Sequence, residues 1–144
     1  MDILIATNTT YMLPTCVFLF SLCKSNSMNK VDIWLAYSDL ADGDFQKIES
    51  IISPYPSVTL HKLYVGISFK EKIRHVDKFS YETYYRVLAL DLLPDEIKRI
   101  LYLDCDMLVK GDLQELFDMP LNPECPMMVC EEMCDKFDFM KELH

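Results

Sequence analysis

Two carboxylates one residue apart, Asp104 and Asp106, follow directly on the apolar run Ile100-Leu101-Tyr102-Leu103. Side chains alternate along a strand with a period of two, so the pair is expected to leave the backbone on one side and share a hard divalent cation. Hard oxygen donors suit Mn2+ or Mg2+ better than zinc. A cation held there suits a site for a diphosphate. No other residues of the chain offer chemistry of comparable specificity.

Two other readings of the pair stay open at this point. Carboxylates just past a strand are common turn formers, with no ligand at all. Phosphatases of the aspartyl-nucleophile class also place Asp-x-Asp after a strand, as nucleophile and acid. In those enzymes the motif opens the domain, whereas here three predicted strands precede it and Met107-Leu108 follow it.

The elements that must position the pair alternate in type. Ile3-Leu4-Ile5-Ala6 reads as a short buried strand, followed by the polar turn Thr7-Asn8-Thr9-Thr10 and an apolar helix from about Tyr11 or Leu13 to Lys24. Pro14 falls in its first turn, where a missing N–H does least harm. Leu13, Cys16, Val17 and Phe20 form the i, i+3, i+4, i+7 stripe, and Phe18, Leu19 and Leu22 fill the other side. Such a helix should be covered on more than one face. Val31–Ala36 is a second strand, Phe45, Ile48 and Ile52 mark an amphipathic helix that Pro54 stops, and Val58-Thr59-Leu60 is a third strand. The order βαβαβ implies a largely parallel sheet with helices on both faces, whose ligands gather outside the carboxyl ends of the strands.

Beyond a basic stretch from Lys70 to Lys78, Tyr81, Tyr84, Tyr85, Leu88 and Leu92 recur at helical spacing up to Pro94, with Arg86 off that stripe. Lys98 to Leu103 leads into the fourth strand and its carboxylates, and Met107-Leu108-Val109 continues extended after them. Asp112 and Glu115 form a capping box for a short helix. Met127 to Cys130 is a final strand, and Glu131 begins a last helix.

Bulk properties bound the function. The 144 residues make one domain, 1–144, large enough for a real core. A formal charge of −9 opposes binding to nucleic acid or anionic lipid. The apolar Tyr11 to Cys23 segment is too short to span a bilayer, and Asp2 breaks the basic start of a signal peptide. Six cysteines sit in apolar runs and read as reduced thiols of a cytoplasmic protein, and the spacing of Cys125, Cys130 and Cys134 is unlike a zinc knuckle. His61 and His75 have no partner in spacing.

The run Tyr85-Arg86-Val87-Leu88-Ala89-Leu90-Asp91-Leu92-Leu93-Pro94, then Ile100 to Val109 with its two acids, then Gly111-Asp112-Leu113 and Glu115-Leu116-Phe117, resembles glycosyltransferase family 8. The opening Ile3-Leu4-Ile5-Ala6-Thr7-Asn8 with Tyr11 matches the nucleotide-binding start of that family, which includes bacterial lipopolysaccharide galactosyl- and glucosyltransferases and glycogenin. The resemblance implies a Rossmann-like GT-A fold and retaining, Mn2+-dependent transfer of a hexose from a UDP-sugar to a saccharide acceptor. By matched position Asp104 and Asp106 would hold the metal, and the backbone at Asp104 and Cys105 would meet the ribose. Ala6, Thr7, Asn8 and Tyr11 would form the uracil and ribose pocket, Arg86 would reach the diphosphate or donor sugar, and Glu132 would lie beside that sugar.

Members of the family continue well past this length, through an Asn-Ala-Gly motif and a late His that completes the metal shell. The chain is therefore expected to be the donor-binding, N-terminal part, with any peripheral membrane contact supplied by the missing C-terminal region. A module that binds UDP-sugar or a partner without turnover is the non-enzymatic alternative. An apolar face left uncovered would favour association with a second copy.

Overall fold

The computed structural model describes residues 1–66 and 84–124. Four parallel strands form one sheet: β1 (Asp2–Ala6), β2 (Val31–Tyr37), β3 (Val58–Tyr64) and β4 (Leu101–Tyr102), in the spatial order β3-β2-β1-β4. The register runs Asp2 to Asp32 through Ala6 to Ala36 between β1 and β2, and Leu4 faces Tyr102 across to β4. The chain moves outward from β1 through β2 to β3, then returns to the far side of β1 for β4. That reversal puts a topological switch point between β1 and β4, where open parallel sheets leave a crevice outside the carboxyl ends of the strands.

Burial explains the strand types. Ile3, Leu4 and Ile5 of β1 and the run Ile33–Ala36 of β2 are buried, as central parallel strands covered on both faces must be. The outer strand β3 mixes buried, half-buried and exposed residues. On one face Ile3, Ile5, Val31, Ile33 and Leu35 pack with Phe18, Leu19 and Leu22 of α1 (Met12–Ser25) and with Phe45, Ile48 and Ile52 of α2 (Asp42–Ile52). On the other, Leu4, Trp34 and Ala36 pack with Tyr85, Leu88 and Ala89 around α3 (Tyr85–Leu88). The expected α/β architecture, helices on both faces included, is what forms.

Four local expectations are corrected. The Leu13, Val17 and Phe20 stripe of α1 is exposed, at 76%, 50% and 52%, and the helix buries the opposite side through Phe18, Leu19 and Leu22. On a helix apolar all round periodicity does not say which face meets the sheet, and only packing against the sheet decides it. The helix ending at Pro94 tightens after one turn: α3 stops at Leu88 and a 3-10 turn, Ala89–Leu92, follows. β4 keeps only two ladder residues. The capping box at Asp112 does not form, because Leu113 takes the N-cap of α4 (Gln114–Asp118) while Asp112 Oδ1 accepts the Gln114 N–H at 2.7 Å from one residue further out. The final strand and helix from Met127 onward lie outside the described residues.

Cys23 and Cys105 are buried free thiols and Cys16 is half-buried and free. Burial pushes the Cys23 thiol up to about 11, so it stays protonated. His61 has a partner after all: its ring stacks on Trp34 at 4.0 Å and its Nε2 lies 2.9 Å from Asp32 Oδ1. No helix of the described residues is long and apolar enough to cross a membrane.

Candidate functional site

The residues following β1 form one flank of the switch-point crevice. Ala6 ends the strand, and Thr7, only 3% exposed, keeps the sheet spacing by donating its N–H to Ala36 O at 3.0 Å. Its hydroxyl lies 2.6 Å from Thr15 Oγ1, which donates on to Tyr11 O at 2.8 Å. Asn8 stands in extended backbone at the start of a 3-10 turn, Thr9–Tyr11, and its Oδ1 accepts the Tyr11 N–H at 3.0 Å. Asp39, just past β2, takes Thr9 in a fork: Oδ1 accepts the Thr9 N–H at 3.2 Å and Oδ2 accepts the Thr9 hydroxyl at 2.8 Å. Every residue from Thr7 to Tyr11 except Thr10 is thus tied by hydrogen bonds to its surroundings, while the Tyr11 ring stays 46% exposed at the rim.

The residues following β4 form the other flank. Leu103 N–H still donates to Leu4 O at 3.1 Å, so the chain tracks β1 up to the residue before Asp104. There the ladder ends in a turn, closed by Met107 N–H to Asp104 O at 3.3 Å. Asp104 and Asp106 therefore lie on a turn and not on a strand, and the period-of-two rule does not orient them. A two-residue ladder cannot hold the chain extended past Leu103. Both acids nevertheless stand at the carboxyl end of β4, as the motif requires.

Among the described residues, two side chains meet Asp104. Tyr102 donates its hydroxyl to Asp104 Oδ1 at 2.6 Å, and an Arg86 guanidinium nitrogen lies 3.6 Å from the same oxygen, with the guanidinium 4.8 Å above the Tyr102 ring. Arg86 thus leaves the apolar side of α3 and meets the acidic turn, joining two residues that the sequence singled out separately. Burial first, then the hydrogen bond to the carboxylate, holds the Tyr102 phenol well above its ordinary value, so it stays a donor. Ser38, beside Asp39, lies 2.6 Å from Tyr85 Oη, so the segment after β2 is tied both to α3 and to the loop after β1.

The acidic turn is anchored downstream as well. Ser21 Oγ of α1 accepts the Val109 N–H at 3.0 Å, Ser25 Oγ donates to Val109 O at 3.1 Å, and the buried Asn26 Oδ1 accepts the Leu113 N–H at 2.9 Å. Among the described residues no three of His, Cys, Asp and Glu gather as a metal-holding group. Two partly exposed carboxylates suit a hard cation that completes its shell from phosphate oxygens and water. Cys105 is buried between them, and Glu132 lies outside the described residues.

Sequence reasoning passed over Tyr102, Asp39 and Asn26. Tyr102 had a signal, since it stands two residues before Asp104. Asp39 had a weaker one, a polar pair directly after a strand. Asn26 had none beyond its place at a helix end.

The family model described as Glycosyl transferase family 8 matches residues 2–143. Lipopolysaccharide 1,3-galactosyltransferase of Salmonella typhimurium is 30% identical over 84 residues, which is 58% of this chain and 25% of that protein. Lipopolysaccharide 1,2-glucosyltransferase of Escherichia coli K12 is 28% identical over 107 residues, 74% of this chain and 31% of that protein. The crystal structure of the galactosyltransferase LgtC in complex with donor and acceptor sugar analogs superposes with a TM-score of 0.67 at 20% identity, covering 85% of this chain and 44% of LgtC. The chain thus matches less than half the length of each of these relatives. With its parallel sheet in the GT-A arrangement, the chain belongs to glycosyltransferase family 8.

Proposed function

We propose that this chain carries the donor- and metal-binding part of a retaining glycosyltransferase that moves a hexose, glucose or galactose, from a UDP-sugar to a saccharide acceptor. The observation that carries it is the convergence of the Thr7–Tyr11 loop and the Asp104–Asp106 turn on the switch point between β1 and β4. Family membership and the names of the lipopolysaccharide transferases it is similar to support the donor class and a cell-surface glycan acceptor.

In this account Asp104 and Asp106 hold Mn2+ or Mg2+, which when bound supplies Lewis-acid stabilisation of the diphosphate. Ala6, Thr7, Asn8 and Tyr11 receive the uracil and ribose, with the Tyr11 ring as an exposed apolar platform. The backbone at Asp104 and Cys105 meets the ribose. Arg86, already beside Asp104, supplies a guanidinium to the diphosphate or donor sugar. Tyr102 keeps the Asp104 carboxylate oriented by donating to one of its oxygens. Glu132 is the proposed acidic neighbour of the sugar. Free thiols at Cys16, Cys23 and Cys105 suit a reducing compartment, and we place the protein in the cytoplasm.

Calorimetric titration with UDP, with and without Mn2+, tests the proposal. Binding that requires Mn2+ and disappears in Asp104→Ala is the expected result. Metal-independent binding, or none, overturns it.

A further inference from the structure

We infer that Asp39, a residue outside the metal pair and outside the loop that faces the donor, is a positioning residue that sets the shape of the nucleoside pocket by clamping Thr9. The inference rests on the donor-binding proposal above. Asp39 stands two residues past the end of β2, the strand that pairs with β1 on the side away from β4. Its two oxygens take both polar groups of a single residue thirty positions earlier, the Thr9 N–H at 3.2 Å and the Thr9 hydroxyl at 2.8 Å. Two bonds to one residue fix its rotation as well as its place, which one bond cannot do. Thr9 opens the 3-10 turn that presents Tyr11, so releasing Thr9 frees the segment between the buried Thr7 and the rim.

A plain surface role for Asp39 would not select this geometry. A solubilising or turn-forming carboxylate bonds the backbone a residue or two away, whereas this one reaches across from one strand end to the loop of the neighbouring strand. The adjacent Ser38 holds Tyr85, so the segment carrying the clamp is itself tied to the opposite face of the sheet. The clamp acts on the nucleoside side of the crevice and has no contact with Asp104 or Asp106 among the hydrogen bonds that hold it.

The test separates the nucleoside from the diphosphate. In saturating Mn2+, Asp39→Ala is expected to weaken UDP binding about tenfold while pyrophosphate binding stays within about twofold of wild type, a pattern general loosening of the fold would not give. Asp39→Asn, which keeps the outline and one acceptor, should fall between the two. The double variant Asp39→Ala with Thr9→Val should bind UDP no more weakly than Asp39→Ala alone, because the partners act as one unit. Amide exchange at Thr9, read without ligand, should speed up at least about tenfold in Asp39→Ala. Unchanged UDP affinity, equal losses for UDP and pyrophosphate, or unchanged Thr9 exchange each overturn the clamp. Failure of wild type to bind UDP while Thr9 exchange still responds to Asp39→Ala instead removes the donor proposal and leaves a clamp with only a structural duty.

Discussion

The loop after β1 is tied by hydrogen bonds at Thr7, Asn8, Thr9 and Tyr11, whereas the turn after β4 is tied, among the described residues, at Asp104 and Val109, with Asp106 exposed between them. Thr7 finds partners in the sheet and in α1, Asn8 in the turn that it opens and Thr9 past β2, and the innermost of these bonds, between Thr7 and Thr15, is buried. Asp104 and Asp106 hang between the β1 ladder at Leu103 and the α1 contacts at Val109, with the Asp104 side chain 43% exposed. A flat base needs a rigid slot, but a cation brings its own ordering and needs only reachable oxygens. On the donor-binding proposal, shape in this crevice would be invested on the side offered to the nucleoside and charge on the side offered to the metal.

If that division is right, Asp106→Ala should cost at least about a hundredfold in Mn2+-dependent UDP affinity while changing unfolding stability by less than about 0.5 kcal/mol. Calorimetry and urea denaturation read the two quantities, and a parallel loss of both would erase the contrast. Thr15→Val should behave in the opposite sense. Removing a buried hydroxyl bonded to Thr7 and Tyr11 should destabilise the fold by about 1 to 3 kcal/mol in urea, with the Mn2+–pyrophosphate affinity little altered. A larger effect on pyrophosphate than on stability would show the two flanks to be coupled.

Tyr102→Phe sharpens the metal side. It deletes the hydrogen bond that the phenol donates to Asp104 Oδ1, so Mn2+ affinity should fall about tenfold. Because the phenol titrates well above its ordinary value, that loss should be constant from neutral to mildly alkaline pH. An effect that grows as pH rises through 10 would contradict the assignment.

The smallest effect serves as a control away from both flanks. At the start of α2, Asp44 is held below its ordinary 3.8 by the Ala41 N–H and then by Lys47. A depressed folded value means the contribution is present above 3.8 and lost as pH falls through the lower folded value. Asp44→Asn should therefore flatten the acid limb of thermal stability and leave UDP binding at neutral pH unchanged.

Much of this architecture could be read beforehand from residue order. The β1 and β2 runs and the Phe45, Ile48, Ile52 face of α2 were legible because apolar strands and a clean amphipathic period each admit one burial, whereas of the mixed outer strand β3 only the first three residues, Val58 to Leu60, were read. The face of α1 was not, since Leu13, Val17 and Phe20 match Phe18, Leu19 and Leu22 in hydrophobicity and only the sheet decides between them. Asp104 and Asp106 stood out as a motif, yet their backbone was misjudged because the short pairing of β4 with β1 is a tertiary fact. Asp39 escaped notice for the same reason, as it acts on a residue thirty positions away that folding brings near, whereas Tyr102 lay within the motif's own spacing and was passed over.

A crystal grown with Mn2+ and UDP and measured at the manganese absorption edge tests the central claim most directly. The account predicts one anomalous peak between Asp104 and Asp106, with the diphosphate beside it and uracil against Tyr11. A peak elsewhere, or both carboxylates facing bulk solvent with the crevice between β1 and β4 empty, would contradict it.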